Sequence, residues 1–167
     1  RDHWAATLQA AILPTGTLRC AAGGMVRDMP GFDDGMWWVQ DVAAAIPARL
    51  FGAIEGKTIV DLCAAPGGKT AHLAAGGAHV IALDRSASRT GRLTENLRRL
   101  RLDKNVRIET ADAAAWQPKE KVDCVLLDAP CTATGTIRRH PDVPHLKSET
   151  DLARLVETQR RLLDGAA

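Results

Sequence analysis

The chain has 167 residues, with 22 Lys and Arg against 20 Asp and Glu, giving a formal net charge of +2. That length suits one domain, and 46% hydrophobic with 25% charged residues is the ordinary globular balance, which excludes a chain disordered throughout. Apolar runs such as 42–46 and 124–127 fall far short of the roughly 20 residues that a membrane-crossing helix needs. Residues 1–6 carry charge and Trp4 with no apolar stretch behind them, so no signal peptide is expected. Cys20, Cys63, Cys124 and Cys131 lie far apart with no Cys-x-x-Cys pair. This spacing speaks against a disulfide framework or a structural zinc site, and no metal is expected. A cytoplasmic, thiol-bearing protein without a membrane partner is the expectation.

In chain order, residues 1–39 are rich in Gly and Pro (Pro14, Gly16, Gly23, Gly24, Pro30, Gly31, Gly35) and read as an irregular lead-in with short hairpin-like pieces. Residues 40–167 are expected to form the main unit. Asp41 is placed to cap a helix running to about residue 51, since Val42, Ile46 and Leu50 recur at helical spacing, with Pro47 as a kink. From Thr58 onward, four short runs rich in Val, Ile and Leu (58–62, 79–83, 106–109 and 122–127) alternate with helical stretches. Ser86 opens one helix, with Leu93, Leu97 and Leu100 on one stripe. Ser148-x-x-Asp151 opens another, in which Leu152, Leu155, Val156, Gln159, Leu162 and Leu163 recur at helical spacing and Gly165 is the expected stop. Strands alternating with helices predict right-handed βαβ units and a parallel sheet, an α/β fold.

Basic residues are unevenly spread. Between residues 85 and 107 lie Arg85, Arg89, Arg92, Arg98, Arg99, Arg101, Lys104 and Arg107, against only Glu95 and Asp103. Such a group either tracks a phosphate backbone or is a solvated helix face. A second group, Arg138, Arg139 and His140, follows a Gly-containing loop. Aromatic residues are 4% with no Tyr, a poor supply for stacking single-stranded bases.

The richest stretch, Asp61-Leu-Cys63-Ala64-Ala65-Pro66-Gly67-Gly68-Lys69-Thr70, directly follows the first predicted strand. Its glycines permit a sharp turn and close approach to a ligand, and the helix that follows presents free amides. A phosphate-binding P-loop needs a glycine five positions before Gly68, where this chain has Cys63. A nucleoside triphosphate is therefore the weaker alternative. The Gly-x-Gly-x-x-Gly spacing is absent too, which leaves a ligand without a pyrophosphate. Asp84 ends the second run, where an acid in a doubly wound fold accepts ribose hydroxyls; its other use is as a helix N-terminal partner. Asp112 follows the third run within reach of an adenine amino group. The fourth runs into Asp128-Ala-Pro130-Cys131-Thr-Ala-Thr-Gly135, bringing an acid and a thiol to a strand end where open α/β sheets keep their active sites.

Together, DLCAAPGGKT, ALD and LLDAPCTATGTIRRHPD resemble the RNA 5-methylcytosine methyltransferases of the Sun family, whose bacterial members modify small-subunit ribosomal RNA. The segment PGFDDGMWWVQD is similar to the family's approach to its catalytic domain, so the resemblance covers roughly residues 15–165. One departure is Thr132-Ala133, where the family often has Ser-Gly. The resemblance implies S-adenosylmethionine as methyl donor, with Cys63, Ala64, Ala65, Pro66, Gly67, Gly68 and Lys69 around its methionine and ribose side, Asp84 on the ribose and Asp112 at the adenine. It also implies contact of Asp128 with donor and cytosine, and a role for Cys131 in product release. RNA, ribosomal in the first place, is the implied partner, with Arg138, Arg139 and His140 beside the target base.

In that family the attacking cysteine lies in a later Thr-Cys-Ser motif, which this sequence lacks. The expectation is a Rossmann-like, doubly wound methyltransferase core, truncated at its C-terminal side, with the four runs in spatial order 3-2-1-4 and the ligand crevice between the first and fourth. The main nucleophile is expected beyond Ala167 and the chain is expected to be inactive alone. It would then bind donor or RNA without turnover and self-associate through its fourth strand. Alternatively, Cys131 is itself the nucleophile, as the Pro-Cys of the DNA cytosine methyltransferases is.

Overall fold

The structure, a computed structural model, describes residues 1–21 and 24–167; Gly23, counted among the lead-in's turn residues, lies outside them. The first elements are helix α1 (Asp2–Thr7) and a two-stranded antiparallel hairpin, β1 (Ala11–Ile12) with β2 (Leu18–Arg19). A single helical turn, α2 (Ile46–Arg49), precedes β3 (Thr58–Leu62), α3 (Gly68–Ala75), β4 (His79–Asp84), α4 (Ala87–Arg99), β5 (Val106–Thr110), β6 (Cys124–Leu127) and α5 (Glu149–Ala166).

The four long strands form one parallel sheet in the order β5-β4-β3-β6. This is the expected 3-2-1-4 of a Rossmann-like α/β fold. Register follows from the alternation of side chains. Ile59, Val80 and Ala82 face a core shared with Leu73, Leu93 and Leu97 of α3 and α4. Val60, Leu62, Ile81 and Leu83 face a second core closed by Leu162 of α5. Strands β3 and β4 are thus covered on both faces, which is why they read as unbroken apolar runs. Asp61 opposite Ala82 and Leu126 is the exception, a carboxyl with no exposed surface.

Helix starts follow the sequence closely. Ser86 accepts the Arg89 amide, and Ser148 and Asp151 form a reciprocal capping box at the start of α5. Four expectations need correction. The helix from Asp41 does not form: Asp41 Oδ1 accepts the Ala43 amide in a series of turns, and only Ile46–Arg49 is helical. Pro47 lies in the first turn of α2, where its fixed φ and missing N–H cost nothing, and Leu50 is exposed. The helix α1 within the lead-in gave no periodic signal over its six residues. Gly165 does not stop α5; a Cβ there would sit 3.1 Å from the Ala114 carbonyl oxygen, so the missing side chain lets the last turn close on the loop after β5. Finally, β6 is shorter than the run 122–127, and Val125 and Leu127 are only half-buried. Among the described residues no strand pairs with its outer edge.

The lead-in is fastened by a residue of the basic group. Arg99 donates to the carbonyls of Phe32 (2.5 Å) and Trp37 (3.2 Å), and its guanidinium lies 3.9 Å from the Phe32 ring centroid. Burial moves its pKa below the ordinary arginine value. Arg99 is therefore a structural cation.

Candidate functional site

The C-terminal ends of all four parallel strands open on one side, and the loops leaving them carry the candidate residues. From β3 the chain turns at Cys63, whose φ is +62°, and at Gly67, whose φ is +104°. A Cβ on Gly67 would lie 2.3 Å from Leu93 Cδ1, so only glycine allows the loop to rest on α4. Side chains of α4 hold the loop's carbonyls: Arg89 donates to Ala65 (2.5 Å) and Asn96 to Pro66 (3.0 Å). Beneath the loop, Thr70 Oγ1 donates to Asp61 Oδ2 at 2.6 Å, while Asp61 Oδ1 is buried without a partner among the described residues. Burial pushes the Asp61 carboxyl up to about 7; the Thr70 bond works against this and the Asp128 charge adds to it.

Asp84, 3% exposed, accepts the Ala65 amide (3.3 Å) on Oδ2 and the Ser86 amide (3.0 Å) on Oδ1, with Arg89 3.3 Å from Oδ2. It thus serves as helix partner and loop tie together. A carboxylate has about four acceptor positions, so capacity remains for a ligand hydroxyl. Asp112 is exposed; its Oδ1 accepts the Ala114 amide and Oδ2 lies 3.8 Å from Arg161 of α5. Cys63 is half-buried, and burial, then the nearby Asp84 charge, raises its thiol to about 11. Such a thiol packs and does not attack.

Cys63, Asp84 and Asp112 line one crevice of about 160 Å³ with Arg89, Pro130 and Arg161. The crevice spreads over loops from all four strands and is closed by α5, a wider site than the expected gap between the first and fourth strands. A separate, largely apolar cavity of about 280 Å³ lies between the lead-in and the outer side of the loop, lined by Phe32, Trp38, Pro66, Gly67, Gly68 and Arg99 among others. The loop residues are therefore divided between the two spaces.

Lys69 and Asp128 line neither crevice nor cavity. They form an ion pair of 2.6 Å across the mouth between β3 and β6, the lysine mostly buried and the carboxylate half-exposed. Cys131 is exposed, and its Sγ accepts the Ala133 amide at 3.3 Å. Ala133 has φ +60°, the left-handed region that glycine enters freely and alanine at a cost of about 1–2 kcal/mol. Arg138, Arg139 and His140 are exposed on the turn that follows.

Residues 49–167 match the family described as 16S rRNA methyltransferase RsmB/F. The chain belongs to that family. It is 45% identical over 151 residues to the ribosomal RNA small subunit methyltransferase B of Erwinia tasmaniensis, covering 89% of this chain and 35% of that protein. The chain thus spans about a third of the length of the curated relatives it matches. Among solved structures, that of PH0851 superposes with a TM-score of 0.93 at 30% identity, over 99% of this chain and 40% of that one. NSun6 from Pyrococcus horikoshii, solved with SFG, superposes with a TM-score of 0.77 at 31% identity, over 86% of this chain and 37% of that one. The sheet described above is accordingly the Rossmann-like core of an RsmB/F-family methyltransferase. Among the described residues no helix is long and apolar enough to cross a membrane.

Sequence reasoning gave no role to Asp61, Thr70, Arg89 or Asn96. Asp61 had a signal, a lone carboxylate inside a strand otherwise apolar on both faces. Arg89 was hidden within the basic group.

Asp61 makes stability depend on pH. Its folded pKa, about 7, lies above the ordinary aspartate value of 3.8, so between those values the folded chain keeps a proton that the unfolded chain releases. Stability therefore falls as pH rises through that window and levels off above it. Chemical denaturation at about pH 5 and pH 8 is expected to show a loss on the order of a few kcal/mol, and Asp61→Asn is expected to remove most of that slope.

Proposed function

We propose that this chain carries the methyl-donor site of an RNA cytosine-C5 methyltransferase that uses S-adenosylmethionine and acts on ribosomal RNA in the cytoplasm. The observation that carries this proposal is the crevice itself, in which Cys63, Asp84, Asp112 and Pro130 meet over the strand ends of an RsmB/F-family core. The residues fit such a donor. Asp84 keeps acceptor capacity for ribose hydroxyls, Asp112 offers an acceptor for an adenine amino group, and the orphaned Asp61 Oδ1 lies under the loop that would surround the methionine portion. Cys63, Ala64, Ala65, Pro66, Gly67, Gly68 and Lys69 would supply that loop, with Asp128 at its edge.

When bound, the donor supplies an electrophilic sulfonium methyl group. The protein's own task is to make cytosine C5 nucleophilic. A thiolate added at C6 does so, and after methylation, loss of the C5 proton expels the thiolate. Cys131 serves product release, the addition falling to a Thr-Cys-Ser thiol that this chain does not contain. Asp128, held at 2.6 Å by Lys69, accepts from the exocyclic amino group at the cytosine edge and fixes the orientation of the ring. Arg138, Arg139 and His140 contact the RNA backbone.

Calorimetry with S-adenosylmethionine and with ATP tests the donor site; binding of ATP and not of S-adenosylmethionine would overturn it in favour of a P-loop-like protein. Asp84→Ala is expected to weaken donor binding about 100-fold or more, since two hydrogen bonds to a charged acceptor are lost. Asp84→Asn, which keeps one acceptor oxygen but turns its NH2 toward a buried donor, is expected to lose less donor affinity and to melt below the parent.

Reversing the charges of Arg138 and Arg139 together should weaken RNA binding and lower the salt slope by about two units, roughly one for each phosphate contact. Filter binding across a salt series measures both. The same result from reversing Arg98 and Arg101 alone would move the RNA to the outer face of α4.

Among the described residues no strand pairs with the outer edge of β6, and such an edge is a template for another copy of the chain. Sedimentation of this chain is expected to show concentration-dependent self-association; a monomer throughout would refute pairing through β6.

A further inference from the structure

We infer that Gln159 is a positioning residue for Cys131, holding through the Pro130 carbonyl the peptide that sets the direction of the thiol. The inference rests on the proposed role of Cys131 at the cytosine. Gln159 lies on the inner stripe of α5 between Leu155 and Leu162, a half-buried amide where the spacing calls for an apolar side chain. Its Nε2 donates to Pro130 O at 2.7 Å, across 29 residues of sequence.

Besides Ala129, which packs against the second core, few other hydrogen bonds hold the loop after β6 among the described residues. The Asp128 amide reaches Leu62 O at 3.4 Å, and its carboxylate reaches Lys69. Beyond Cys131 the turn is held locally, by Ala133 N–H on Sγ and by the Thr136 amide and hydroxyl on Ala133 O. Between these anchors, Pro130 has no N–H with which to continue the ladder. Its carbonyl belongs to the peptide that enters Cys131. Rotation of that peptide turns the Cys131 Cα–Cβ bond and moves Sγ away from the Ala133 amide.

The helix carrying Gln159 is a firm base. Its first turn is locked by the Ser148–Asp151 capping box, and Leu162, 5% exposed, is sealed into the second core. Thr158, Arg161 and Leu162 line the donor crevice, so one helix face borders the crevice and holds the thiol loop together.

The test uses the full chain and iodoacetamide. The alkylation rate of Cys131 is mapped by peptide mass spectrometry and divided by that of Cys20 in the same molecule, and each variant's melting temperature is recorded. Gln159→Met keeps the length without a donor, and Gln159→Glu keeps the shape but only accepts. Both are expected to lower the Cys131 ratio about threefold or more, as the sulfur turns from the Ala133 amide and from its exposed position. Gln159→Lys, which restores a donor of sufficient reach, is expected to return the ratio to within about twofold of the parent by the same dependence on access. Val80→Ala loosens the first core, on the other face of the sheet from α5, and is expected to lower the melting temperature while leaving the ratio in place. An unchanged ratio in Gln159→Met, or an equal loss in Val80→Ala, would overturn the inference. The ratio needs neither RNA nor donor, so failure of donor binding refutes the proposed function separately from this role of Gln159.

Discussion

The hydrogen bond from Thr70 to Asp61 is the constraint on which the site is built. It ties the first turn of α3 to the middle of β3 at 2.6 Å, in a place with no water to compete. The six residues between Leu62 and Lys69 must therefore form a narrow loop, and the left-handed conformations at Cys63 and Gly67 follow from that confinement. The loop then presses on α4, where Arg89 and Asn96 take up two of its carbonyls, and on the end of β4, where Asp84 takes up one of its amides. Each contact is modest alone, since a typical hydrogen bond contributes about 1 kcal/mol net. Their value lies in leaving the loop one shape.

The same network accounts for the electrostatics. Burial keeps the Asp61 carboxyl from ionising readily, so the charge near the loop rests with Asp84 and Asp128. Asp84 is countered by Arg89 and Asp128 by Lys69, the first pair joining the end of β4 to α4 and the second joining α3 to the loop after β6. A cationic donor would meet carboxylates already oriented, at little cost in reorganisation.

Much of this was legible in the sequence. The four strands, their order, and the caps at Ser86 and Ser148 follow from apolar period and hydroxyl placement, which are local signals. Asp84, Asp112, Asp128 and Cys131 were legible because each ends a strand or follows one closely. The rest depends on partners far away along the chain. Arg89 and Arg99 have the composition of a solvated basic face, yet they serve carbonyls 24 and 67 residues distant. The turns after Asp41 replaced a helix because the spacing of Val42, Ile46 and Leu50 met no surface to bury against, and Leu50 stayed in water. The half-buried state of β6 depends on what lies beside it in space, which its apolar composition does not report.

The order of the strands also divides the site by how often its backbone opens. Amides of β3 and β4 lie between two hydrogen-bonded neighbours and under two cores, so their exchange with solvent deuterium requires the rarest openings of the molecule. Cys63 and Asp84 hang from those strands. Asp128 and Cys131 hang from β6, whose outward amides have no strand beside them among the described residues and exchange through small local excursions. The molecule thus hangs Cys63 and Asp84 from its most protected backbone and its thiol from an edge strand, so cooling or binding a partner at β6 would still the thiol loop long before it altered that part of the crevice.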